Sequence, residues 1–206
     1  MYVATLLGLL ILAGQPAPPA TAPQTDLRKL YEAGKYQQVV QDLPAAIAAN
    51  ESEKAQLQFI AAQSYQKLGQ WDHVRSIYKG LSALGEQDPW RYIGQSAEAA
   101  IDKQPALALQ AAQKAVMLAP ENAYAYFQLG MAASVQPDFR KAADAFQKAA
   151  LIDPTFAYAH YYAAMSYYKL KRIDLMATHF EAFLKLAPDA PEVPEVQSIM
   201  RTVRGG

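Results

Sequence analysis

The sequence predicts an all-α protein assembled from stacked helical hairpins, and three observations carry that expectation. Forty alanines stand against ten glycines in 206 residues, a bias toward helix. Strand-like alternation of apolar and polar residues is nowhere sustained. The prolines Pro120, Pro154 and Pro188 are spaced by 34 residues, and each closes a similar phrase. Lys114-Ala115-Val116-Met117-Leu118-Ala119 precedes the first, Lys148-Ala149-Ala150-Leu151-Ile152-Asp153 the second and Phe183-Leu184-Lys185-Leu186-Ala187 the third. The same step places Tyr78, Ala112, Phe146 and Phe180 in one column.

The elements follow in chain order. Residues 2–13 are apolar or small, and the first charged side chain is Asp26. A bilayer-spanning helix needs about 20 apolar residues, so this stretch is too short to span. It fits the apolar centre of a secretory signal, about 7–15 residues long, with small residues at Ala13-Gly14 and Ala20-Thr21-Ala22 offering two cleavage points. Residues 1–22 are therefore expected to be a signal peptide and the start of a proline-rich linker, with an uncleaved anchor as the alternative. The protein is expected outside the cytoplasm, with no integral span in the mature chain. Residues 23–190 form the repeat array, in units of about 25–54, 55–88, 89–122, 123–156 and 157–190. Residues 191–206 hold a last helix in which Val196, Ile199, Met200 and Val203 make one stripe, as expected of a cap over an open end.

Within 123–156, Tyr126, Leu129, Gly130 and Ala133 fall at i, i+3, i+4 and i+7, one face of a helix. Ala142, Phe146 and Ala149 supply the facing side, and small residues at Gly130 and Ala142 let the two backbones approach. Each proline lacks an N–H and disfavours helix in the residue before it, so it ends a unit. This pattern resembles the tetratricopeptide repeat, a helix-turn-helix of 34 residues with a W-x2-L-G-x2-Y, A-x3-F, P signature. Tyr126, Leu129, Gly130, Ala142, Phe146, Ala149 and Pro154 carry the match in this window, with Ala133 where tyrosine is usual. Window 55–88 keeps Tyr65, Leu68, Gly69, Trp71 and Tyr78, with Glu86 in place of proline. Window 157–190 keeps Tyr167, Phe180 and Pro188; window 89–122 keeps Tyr92, Ala108, Ala115 and Pro120 but has Gln95-Ser96 in place of Leu-Gly. The resemblance covers roughly residues 25–190 and implies a right-handed solenoid of about five repeats.

In such a stack the first helices of the units line a concave face. The residues offset from the buried stripe are Trp90 in one unit, Tyr124, Phe127 and Met131 in the next, and Tyr158, Tyr161, Met165 and Tyr168 in the third. Aromatic side chains and adaptable thioethers are the types that anchor protein interfaces. These eight residues are the candidate groove for a protein or peptide partner, Trp90, Tyr124 and Tyr158 forming a ladder. Packing between helices is the competing reading, and an equal one for Phe59, Ile93 and Phe127. A specialised branch of the family holds a terminal carboxylate with lysine and asparagine on this face. The comparable places here hold Phe59 and Gln63, Ile93 and Ala97, and Phe127 and Met131, so that clamp is not expected. The functional expectation is an exported interaction module in a cell-envelope assembly, the alternative a structural protein that self-associates as a homo-oligomer.

Nineteen basic residues balance nineteen acidic ones, so no net field steers the chain onto nucleic acid. The absence of cysteine removes disulfides, thiolate metal sites and thiol catalysis. His73, His160 and His179 fall at three different repeat positions without metal-ligand spacing, and no glycine-rich phosphate loop is present. Neither catalysis, a metal nor a cofactor is expected.

Overall fold

The computed structural model describes residues 26–205; the expected leader, residues 1–22, lies outside them. The α-helices among the described residues are α1 (Leu27–Glu32), α2 (Tyr36–Ala49), α3 (Lys54–Lys67), α4 (Trp71–Ser82), α5 (Pro89–Ile101) and α6 (Pro105–Leu118). They continue with α7 (Ala123–Val135), α8 (Phe139–Ile152), α9 (Ala157–Lys169), α10 (Ile173–Leu186) and α11 (Val193–Arg204). Each helix packs on the next in sequence, and α5 also reaches α7. None is long and apolar enough to cross a membrane.

The repeat period is visible in the core. Ala62, Ser96, Gly130 and Ala164 occupy one column, and all four are buried. A Cβ on Gly130 would lie 2.6–2.8 Å from the Phe146 ring, so close approach of α7 and α8 requires glycine there. Ser96 holds the same column in the most divergent unit, its hydroxyl donating to the Ala108 carbonyl at 2.8 Å and so satisfying itself within the helix pair. Tyr78, Ala112, Phe146 and Phe180, the column across the pair, are likewise buried, as are Ala142 and Ala149. Trp71 differs: it opens α4 but is 47% exposed, because its position faces outward at the turn.

Helix ends follow local chemistry. Asp88, Asn122 and Asp138 cap α5, α7 and α8 by accepting from backbone N–H groups of the first turn. Pro120, Pro154 and Pro188 each lie two residues beyond the end of α6, α8 and α10. Between the paired helices the chain turns through a left-handed residue: Gly69 at φ 72°, then Lys103 at 57° and Lys171 at 58°, again at multiples of 34. At the C-terminal end, Val196 and Met200 of α11 are buried, so this helix covers the face that α10 would leave open.

Candidate functional site

The residues expected on the inner face come from the first helices of successive units: Phe59 from α3, Trp90 from α5, Tyr124 from α7 and Tyr158 from α9. The rings meet directly. Phe59 lies 5.9 Å from Trp90 and 5.8 Å from Tyr124, and Trp90 lies 5.5 Å from Tyr124. Phe156 then stands 4.9 Å from both Tyr124 and Phe127. Tyr158 joins through Tyr162, 6.2 Å away, which itself stacks on Phe146. The expected ladder of Trp90, Tyr124 and Tyr158 is thus continuous in its first step, while in its second Tyr124 and Tyr158 are joined through Phe156, Phe127 and Tyr162.

Burial corrects the expectation of an open aromatic groove. Tyr124, Phe127, Tyr158 and Tyr161 are 2–8% exposed, and Trp90, Met131 and Met165 are half-buried against the core. Tyr168, at 39%, is the member of the predicted set that faces solvent. The first cause is tight coiling, which brings rings of successive units into mutual contact. The second is α1. Besides serving as the first half of a repeat, this six-residue helix contacts the α8–α9 turn and the start of α9.

Three side chains of α1 make that connection. The Arg28 guanidinium pairs with the Asp153 carboxylate, donates to Thr155 Oγ1 at 2.9 Å and lies 5.7 Å from the centre of the Phe156 ring. Tyr31 packs 5.1 Å from Tyr158 and 5.4 Å from Tyr36. Glu32, itself buried, accepts from the Ala157 N–H at 3.3 Å, the first amide of α9, whose N-cap Phe156 provides no side-chain cap. On the other side of Tyr158, its hydroxyl donates to Glu192 at 2.7 Å, and Lys67 Nζ donates to the same carboxylate at 3.0 Å. A Cβ on Gly34 would meet Pro191 Cγ at 2.7 Å, so the α1–α2 turn also presses on the C-terminal segment.

The electrostatics reflect this crowding. Burial pushes the Glu32 carboxyl up to about 7, although Arg28 and the Ala157 N–H pull it down. Burial would raise Asp153 too, but hydrogen bonds from Thr155 and Arg28 outweigh it and hold the group below its ordinary value. Burial raises the Tyr124 and Tyr158 hydroxyls. The Tyr124 hydroxyl sits near Arg28 without a partner in normal hydrogen-bond geometry. Beside it a cleft of about 490 Å³ is lined by Arg28, Gln56, Asn122, Tyr124 and Asp153.

Sequence reasoning missed two groupings. Arg28 and Glu32 lie in the first unit, whose match to the repeat signature is the loosest, and their partners at 153–157 stand at no multiple of 34 from them, so nothing in the pattern marked them. His160 and His179 lie on different helices, yet their Nδ1 atoms are 3.1 Å apart. Burial and then His160 lower His179 to about 4. His73, by contrast, stacks on Tyr65 at 4.6 Å. Among the described residues no three metal-ligating side chains come together.

No protein-family model and no curated protein sequence matches the chain. Solved structures do. The thermophilic TPR protein TTC0263 of Thermus thermophilus superimposes with a TM-score of 0.60 at 19% identity, over 85% of this chain and 94% of that one. The TPR domain of Arabidopsis OM64 gives 0.52 at 23% identity, over 55% of this chain and 94% of that domain. With the 34-residue columns of the core, these likenesses establish that the chain has the tetratricopeptide-repeat fold.

Proposed function

We propose that the protein is an interaction module whose concave face receives a segment of a partner protein. The observation that supports this reading is α1 itself: Arg28, Tyr31 and Glu32 of this short helix are held through complementary contacts by Asp153, Tyr158 and the N-terminus of α9. Repeat solenoids present extended concave surfaces of this kind for binding. The apolar residues 2–13 support export, and with it a place in a cell-envelope assembly.

Self-association is favoured by a different observation. Leu107, Met117 and Leu151, on α6 and α8, are 54–75% exposed, and Met117 and Leu151 are one repeat apart. The two readings separate experimentally. A photo-crosslinking residue placed at Gln56 or Tyr168, on the concave side, is expected to capture a partner polypeptide in the native host, whereas Met117 on the outer helices captures none. Capture only of further copies of this chain, or stable oligomers by light scattering, gives the result to the self-associating reading.

A further inference from the structure

We infer that α1 is a built-in occupant of the concave groove, and that the partner segment it stands in for is a helix presenting a basic side chain followed three and four residues later by tyrosine and a carboxylate. The inference rests on the interaction-module reading above and specifies its ligand.

Arg28, Tyr31 and Glu32 are spaced i, i+3 and i+4, one face of a helix. Each meets a complementary feature about 125 residues away in sequence: an acceptor pair at Asp153 and Thr155, an aromatic wall at Tyr158, and the uncapped amide of Ala157. The groove therefore reads a charge order, basic end toward the α8–α9 turn and acidic end toward the start of α9. A six-residue helix has no independent stability in water, so the order of α1 depends on this docking and on its packing against α2 and α3. The polar part of the hold lies within reach of water, since the Arg28 and Asp153 side chains are 22% and 27% exposed. It succeeds because tethering supplies α1 at high effective concentration. A foreign segment with the same side-chain order meets a groove that is open only part of the time, and its apparent affinity falls by that fraction.

The test uses the full chain and a fluorescent synthetic peptide of residues 26–36. Arg28→Ala combined with Glu32→Ala weakens the tethered helix and leaves Asp153, Thr155 and Tyr158 in place. This variant is expected to bind the peptide at least about tenfold more tightly than the unaltered chain. A peptide carrying the same two alanines is expected not to bind. Equal binding by both chains, or binding by neither, overturns the inference, as does formation of a stable dimer by the variant, which would make a second copy the occupant. If the variant loses its cooperative melting, hydrogen exchange on the unaltered chain decides. Amides of residues 28–33 should exchange at least about tenfold faster than those of residues 160–168, and equal protection would make α1 a fixed part of the core. Capture at Gln56 or Tyr168 alongside a failed peptide titration would retain the interaction module and discard α1 as its internal ligand.

Discussion

Glu32 shows how a single carboxylate acquires a pH dependence from its position. Its neighbours are Arg28 and Asp26 at the start of α1, Asp153 after α8 and the Ala157 N–H. With the folded value raised from 4.5 to about 7, its stabilising contribution is fully present below about 4.5 and lost as pH rises through about 7. Melting temperature should therefore show a falling component between about pH 5 and 8, and Glu32→Gln should remove it. His179 acts in the other direction. Lowered from 6.5 to about 4, it contributes stability above about 6.5 that disappears as pH falls through about 4. Hydrogen exchange in α10 should accelerate over that window, and His179→Leu should flatten the response. At Gly130 the constraint is steric, since any side chain enters the space of the Phe146 ring. Gly130→Leu is expected to cost roughly 1–3 kcal/mol or more in thermal melts.

At the scale of elements, the turn inside each hairpin is a repeated device. Gly69 adopts the left-handed conformation without a Cβ penalty, whereas Lys103 and Lys171 carry side chains through the same region. Lys171→Gly should stabilise α9–α10 by about 1 kcal/mol, measured by denaturant unfolding; no gain would show that the Lys171 side chain contributes interactions of similar size. The same columns explain which parts of each unit were legible. Gly130, Phe146, Ala142 and Ala149 stand in recurring columns because the two helices of every 34-residue unit must bury equivalent contacts. Gly94 was not legible. Its Cβ would lie 2.7 Å from Leu81 and 3.0 Å from the Ser82 nitrogen, a constraint from the preceding unit that the signature of its own unit does not contain.

For the whole molecule, two ion pairs join the first and last thirds of the chain: Arg28 to Asp153 and Lys67 to Glu192. Both involve partly exposed ion pairs, which salt screens. Arg28→Ala together with Glu192→Ala should let the coil relax, seen as a larger radius of gyration in small-angle scattering with helicity unchanged. An unaltered radius would show that the ring contacts alone, Tyr31 on Tyr158 among them, hold the ends together.

The sequence by itself determined the helical hairpins, their 34-residue register, the small-residue column at Gly130 and the capping stripe of α11. Each depends on short-range periodicity and backbone chemistry, which a linear pattern records. It also led to the expectation that Trp90, Tyr124, Phe127, Tyr158 and Tyr161 lie on the inner side of the stack. Whether that side faces solvent was decided only by tertiary structure. The coil curls tightly enough for rings of successive units to touch, and α1 docks on residues about 125 positions away. Curvature accumulates from small rotations between units, and the docking partners share no repeat phase, so neither leaves a periodic trace in the sequence.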